Sequence, residues 1–259
     1  MGIGMLIAVQ PSNSLDWMLF IMKKYAALFI EGTWITLYVA VIGTVAGFLL
    51  GYLVGIIQDL EINREDNLLK RGLIRLLKAI SFIYVEIFRG TPMIVQGMII
   101  YYGLLQMDVK IAPIAAGILV TLLNTGSYMS ETVRAGIKSI DNGQREGALA
   151  LGMSPIAAMF QVILPQAFKN IIPEMVNTFL TNLKMTSVLN VIGVSELFMM
   201  AKTAGGTYYK YFESYLVIAL IYFVLCFVFN RIFLLLEKQM SEKQDYVLAV
   251  EYMESNEED

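Results

Sequence analysis

Histidine is absent from this sequence, and cysteine occurs once, as Cys226 inside an apolar run. Those two gaps exclude a disulfide framework, a thiolate metal site and haem ligation by histidine, so no metal ligands are assigned. Charge is scarce as well: 16% of residues are Asp, Glu, Lys or Arg, against roughly 25% in soluble domains. The net charge of −3 argues against nucleic acid as a partner, because a phosphate-binding surface needs clustered cations. The opening "MGIGMLIAVQPSNS" has no basic flank before its short apolar run, so a cleaved signal peptide is not expected. The chain also lacks a G-x-x-x-x-G-K-[ST] phosphate loop. Without histidine, and without clustered acids in its apolar runs, it offers poor material for a catalytic constellation.

What the chain does have is apolar sequence in long uncharged runs. Hydrophobic residues make up 57% of its 259 positions. This predicts an all-α polytopic membrane protein, since a spanning helix needs ~20 mostly apolar residues. Five spans are expected: Thr33 to Ile57, Phe82 to about Leu105, Ile111 to Ser130, about Ile171 to Leu197, and Ser214 to Asn230 running on past Arg231. Lysine and arginine orient them, because these residues collect on the cytoplasmic side. Arg64, Lys70, Arg71, Arg75 and Lys78 lie between spans one and two; Arg134, Lys138, Arg145 and Lys169 border the link between spans three and four. The N-terminus is therefore placed outside and the C-terminus in the cytoplasm.

Residues 1–32 are read as an outer-face segment in which Leu15 to Ile30 forms an interfacial helix. The adjacent Lys23-Lys24 would be costly in hydrocarbon. Residues 241–259, with seven acidic residues against one lysine, are read as a solvated cytoplasmic tail. In the first span Gly43, Gly47, Gly51 and Gly55 recur every fourth residue and form one small-residue face. Such a face permits close helix approach in lipid, either within this chain or as a sliding or dimer seam.

The stretch "REGALALGMSPIAAMFQVILPQAF", Arg145 to Phe168, is too broken to cross a bilayer. Asp141 and Gln144 are spaced as a capping box, so a helix is expected to run to Leu151 with Gly152 as its C-terminal cap. Ser154-Pro155 restarts the chain, and Pro165 interferes with the second piece. Two short angled helices on the cytoplasmic side follow, presenting Ala148, Leu149, Leu151, Ile156 and Met159. They suit either docking to a cytosolic partner or packing beneath their own bundle.

These residues resemble the cytoplasmic signature of ABC-transporter permease subunits: Glu-Ala-Ala, three residues, Gly, nine residues, an aliphatic, one residue, Leu-Pro. Here it reads Glu146-Gly147-Ala148, Gly152, Val162, Leu164-Pro165. "FRGTPMIVQ", "SETVRAGIKSIDNGQ", "LPQAFKNIIPEMVN" and "IGVSEL" are similar to the branch that takes up polar amino acids. The resemblance implies a permease domain over residues 33–240, with a coupling loop at about 138–170. That loop would dock on separate ATPase subunits, which would hold the ATP and its magnesium. It also implies a second permease subunit, identical or different, and an extracellular or periplasmic substrate-binding protein. Coupling is carried onto Glu146, Gly147, Ala148, Gly152, Leu164 and Pro165. Gly147 departs from the usual alanine, and Lys184-Met185-Thr186-Ser187 departs from a Lys-Asp-Thr-Ser pattern.

Ionisable and polar groups inside spans are path candidates because their burial in lipid is costly. Gln96, Asn124, Ser127, Lys184, Thr186 and Ser187 are the candidates for a substrate path. Lys184 suits a substrate carboxylate or an acidic partner on another span; the hydroxyls suit a path or bonds back to their own helices. Glu86–Arg89 and Glu131–Arg134, each three residues apart, are expected to pair. The expected activity is ATP-driven import of polar amino acids, with a secondary transporter driven by an ion gradient as the alternative.

Overall fold

The computed structural model describes residues 11–60, 62 and 67–241. Arg64 and the acidic tail beyond Ser241 lie outside the described residues. Every regular element among the described residues is helical: α1 (Ser14–Lys24), α2 (Ala26–Asp59), α3 (Leu68–Gly90), α4 (Met93–Gln106), α5 (Pro113–Lys138), α6 (Asn142–Ala150), α7 (Pro155–Ala158), α8 (Leu164–Met185), α9 (Leu197–Tyr208) and α10 (Tyr211–Ser241). A π-helical turn (Met159–Ile163) joins α7 to α8, and a 3₁₀ segment (Thr186–Ile192) extends α8. By length and composition α2 and α10 can each cross a bilayer. The bent pair Pro155–Ile192 and Leu197–Tyr208, turned by 58°, makes a third candidate.

The helix expected over Leu15 to Ile30 is divided at Tyr25. The turn there closes α1, and α2 begins at Ala26, ahead of the expected Thr33. The reason is local packing: Trp17 and Ile21 of α1 are buried against Leu197, Ala201 and Ala204 of α9 and Val217 and Ile218 of α10. The ammonium of Lys24 is hydrogen-bonded to the Tyr208 hydroxyl and lies 4.9 Å from its ring centroid. Lys24 itself stays exposed, so the aromatic contact adds to its hydration without replacing it.

The expected second span is also two helices. Pro92 has no N–H and holds Thr91 extended at φ −124°, ψ 144°, so α3 stops at Gly90 and α4 restarts at Met93. Gln96 mends the break, its side-chain amide donating to the Phe88 and Thr91 carbonyls, both at 2.8 Å. The 14-residue α4 is only ~21 Å long, too short to cross a bilayer by itself.

α5 is the hub, touching α2, α3, α4 and α8. The glycine seam of α2 faces α5 of the same chain. A Cβ built on Gly43 would lie 2.6 Å from Thr121 Cβ, on Gly47 2.5 Å from Thr125 Cβ, on Gly51 2.6 Å from Met129 Cβ and on Gly55 2.8 Å from Val133 Cβ. Backbone contact this close is what small residues every fourth position permit. At the middle of the seam the Asn182 amide of α8 donates to Thr44 Oγ1 (2.7 Å) and Thr125 Oγ1 (2.8 Å). One buried amide thus pins three helices together.

Candidate coupling loop and transport path

The loop helix α6 starts where its cap dictates. Asp141 accepts a hydrogen bond from the Gly143 N–H at 2.6 Å. Gln144 does not close the capping box; its side-chain carbonyl accepts from Gln166 at 3.4 Å instead. Gly152 ends the helix at φ +84°. Its N–H bonds the Leu149 carbonyl, and the Met153 N–H bonds that of Ala148, a closure that needs the left-handed conformation glycine adopts freely. Ser154 Oγ then accepts from the Ala157 N–H at 3.2 Å, with Pro155 in the first turn.

The second piece is not a free-standing rod. Pro165 does not end it, because the wider π turn at Met159–Ile163 absorbs the missing donor. The helix runs on through Pro173 to Met185 and, as 3₁₀, to Ile192. The second piece of the candidate coupling stretch is therefore the first part of a shaft roughly 55 Å long.

Exposure divides the signature residues. Glu146, Gly147, Gly152 and Pro165 are exposed, as are Leu149, Leu151 (87%), Ile156 (70%) and Phe160. Ala148 and Leu164 are buried, and Met159 packs against the inner cluster around Val133 and Ile163. Ala148 and Met159 thus leave the expected apolar surface and seat the loop on its own bundle. Arg145 forms an ion pair with Asp59 at 3.3 Å, tying α6 to the end of α2. Asn170 donates to Ser139 Oγ at 2.9 Å, tying the shaft to α5.

α8 has two opposed faces. One, with Ile172, Met175 and Phe179, lines an apolar trough of about 890 Å³ shared with Phe48 and Tyr52 of α2 and Phe233 of α10. The other carries Asn170, Glu174, Asn177, Thr181 and Lys184, all exposed. At 100° per residue these five form one stripe nearly opposite the trough. Neither Glu174 nor Lys184 has an ion-pair partner among the described residues. On a helix that crossed a bilayer, such a stripe would be stable only against water or another polar surface.

The six path candidates separate accordingly. Lys184 lies on the exposed stripe, and Ser187 is half-buried beside it, donating to the Lys184 carbonyl. Asn124 is half-buried and donates to Gln96 Oε1 at 3.0 Å, while Gln96 is buried as the brace of the α3–α4 break. Ser127 and Thr186 are fully buried and bond back to the Asn124 and Leu183 carbonyls. Glu131–Arg134 pairs as expected at 2.5 Å, but Arg89 turns away from Glu86 to Glu131 (3.9 Å) and the Tyr128 ring. Glu131 is thus shared between α3 and α5.

Three groups went unnoticed in the sequence reading. The polar stripe was visible as spacings of four, three, four and three residues within the fourth span. Asn182 carried no signal beyond its position in that span. Glu196 is fully buried; it caps α9 by accepting from the Phe198 and Met199 N–H groups (2.8 and 2.9 Å) and receives the Tyr222 hydroxyl at 3.1 Å.

Comparison with known proteins adds to this geometry. Residues 69–242 match the family model described as "Binding-protein-dependent transport system inner membrane component". The chain is 36% identical to the arginine transport system permease protein ArtQ of Bacillus subtilis (strain 168) over 212 residues, 82% of this chain and 91% of that one. It is 33% identical to the putative glutamine transport system permease protein GlnP of Rickettsia typhi, over 85% of this chain and 97% of that one. A solved structure described as an amino acid ABC transporter with histidines superposes with a TM-score of 0.76 at 35% identity, covering 88% of this chain and 99% of that chain. The inward-facing MetNI methionine ABC transporter shares the fold at 20% identity, with a TM-score of 0.65 over 88% of this chain and 99% of that chain.

Proposed function

The chain belongs to the family of binding-protein-dependent transport system inner membrane components, and from that premise we propose that it is the permease subunit of an ATP-driven importer of polar amino acids. Its similarity, over more than four-fifths of its length, to permeases named for arginine and other amino acids carries the reading. Five crossings serve it: α2, the α3–α4 elbow, α5, the α8 shaft and α10, with the N-terminus outside and the C-terminus in the cytoplasm. This orientation puts α6 and α7 in the cytoplasm. The acidic tail, residues 241–259, follows α10 on the same side.

ATP and magnesium are held by separate ATPase subunits, on which α6 docks with Glu146, Gly147, Leu151 and Gly152 outermost. Closure of the ATPases moves α6, and two connections carry that motion inward. The Arg145–Asp59 pair pulls on α2, and the continuous shaft turns α8 directly. The stripe from Asn170 to Lys184 is the lining that turns, opening outward to a substrate-binding protein and resetting inward after hydrolysis. Lys184 suits a substrate carboxylate, and Glu174 its amino group or a cationic side chain. A second permease subunit supplies the opposite wall, since in one copy the stripe is open.

Reconstitution with the ATPase and binding protein tests the reading through Leu151→Glu. The side chain is almost wholly exposed, so the fold is expected to survive while ATP-coupled uptake is lost. Uptake retained by this variant would remove the docking assignment. Uptake that follows a proton or sodium gradient without ATP would favour a secondary transporter.

A further inference from the structure

The face of α3 that the bundle leaves uncovered has a composition of its own. Leu69, Leu73, Leu76 and Ile80 form a stripe at spacings of four, three and four, and each is at least 56% exposed. On the far side, about 120–180° from the centre of that stripe at 100° per residue, lie Arg71, Arg75 and Lys78. From Leu68 to Val85 no aspartate or glutamate interrupts them. A third face holds the helix in place, through buried Ile74, Ser81 and Val85 and the Tyr84 hydroxyl on the Leu123 carbonyl at 2.6 Å. α3 begins shortly after α2 ends at Asp59, the residue that pairs with Arg145 of the coupling loop, so its first half sits at the loop side of the bundle.

We propose that the first half of α3 is a lipid-binding surface helix, seating Leu69, Leu73, Leu76 and Ile80 among acyl chains of the loop-side leaflet and holding anionic phospholipid headgroups with Arg71, Arg75 and Lys78. Apolar side chains on one face and cations with no acid interspersed on the other are what an anionic membrane interface binds. Charge selects this occupant over a second copy of the chain. Leucines at these spacings also suit a helix pair, but a helix pair is stabilised by opposite charges beside its seam. Two copies of α3 paired through their leucine stripes would hold Arg71, Arg75 and Lys78 away from the seam, and Leu68 to Val85 supplies no acidic residue to pair with a cation beside it. The inference does not depend on what the protein transports.

The test uses the full chain in detergent micelles containing equimolar phosphatidylcholine and phosphatidylglycerol, with retained lipid counted by native mass spectrometry. The wild type is expected to retain phosphatidylglycerol in preference. Each cation near an anionic surface contributes about fivefold in affinity, so the R71Q/R75Q/K78Q variant should lose the preference by a factor between about 10 and 100. R71K/R75K/K78R keeps the charge and should stay within about twofold of the wild type. A wild-type ratio in the glutamine variant overturns the proposal, as does an equal loss in the charge-preserving variant. The leucine stripe is tested separately with L73C in a C226S background in phosphatidylglycerol nanodiscs. Protection of that thiol from a water-soluble maleimide supports the proposal, and disulfide cross-linking between two copies overturns it.

Discussion

Adding a methyl group at two helical glycines should have opposite effects on stability, with the sign set by tertiary contact alone. At Gly147 in α6 nothing lies within 4 Å of a built Cβ, so Gly147→Ala gains helix propensity at no packing cost, about 1 kcal/mol. At Gly47 in α2 the same Cβ would stand 2.5 Å from Thr125 Cβ, 2.8 Å from Thr125 Cγ2 and 3.0 Å from the Leu122 carbonyl. Two of those atoms belong to a residue whose hydroxyl receives the Asn182 amide, so Thr125 cannot turn aside without breaking that bond. Overpacking of this kind costs about 1–3 kcal/mol, and a lost buried hydrogen bond about 1 kcal/mol more. Set against the propensity gain, Gly47→Ala should destabilise by roughly 1–3 kcal/mol. Equilibrium unfolding of the full chain in mixed micelles, followed by circular dichroism, reads both changes on one scale. The reasoning fails if Gly47→Ala matches or exceeds the wild type. It also fails if Gly147→Ala is the more destabilising of the two.

Three further outcomes follow from other contacts. Asn182→Leu removes both donors from Thr44 and Thr125 and should cost about 2 kcal/mol in the same assay; a neutral result would mean that the three helices are held by packing alone. Asp59→Asn breaks a partly exposed pair with Arg145 worth no more than about 1 kcal/mol, yet ATP turnover should become partly uncoupled from uptake in proteoliposomes; unchanged coupling would show that the shaft acts without α2. Lys184→Met, on the exposed stripe, should lower uptake at least tenfold, whereas Thr186→Val, buried and bonded back to Leu183, should leave transport within about threefold, the scale of a lost local bond.

Long uncharged runs declared the helical membrane class, and motif spacing pointed to the permease family, because both are properties of residues close together in sequence. Capping was legible for the same reason: Asp141, Gly152 and Ser154 act on atoms only two to four residues away. Expectations missed wherever a local signal had a distant remedy. Pro165 reads as a stop, but the π turn before it carries the helix onward. Glu131 sits three residues from its expected partner and also collects Arg89 from another helix. Lys23 and Lys24 are both exposed, as a surface pair should be, and what the sequence hides is the aromatic partner of Lys24, Tyr208, 184 positions away.

The proposed path shows the division most clearly. Sequence alone established that polar groups stand in the fourth span, and it singled out Lys184 among them. Only the tertiary structure decided which of them face outward, because a rotation of 100° between neighbouring residues separates exposed Lys184 from buried Leu183. It decided as well that the glycine seam of α2 closes on α5 of the same chain. Small residues every fourth position specify a close approach to some backbone, and the choice of backbone belongs to contacts far apart in sequence.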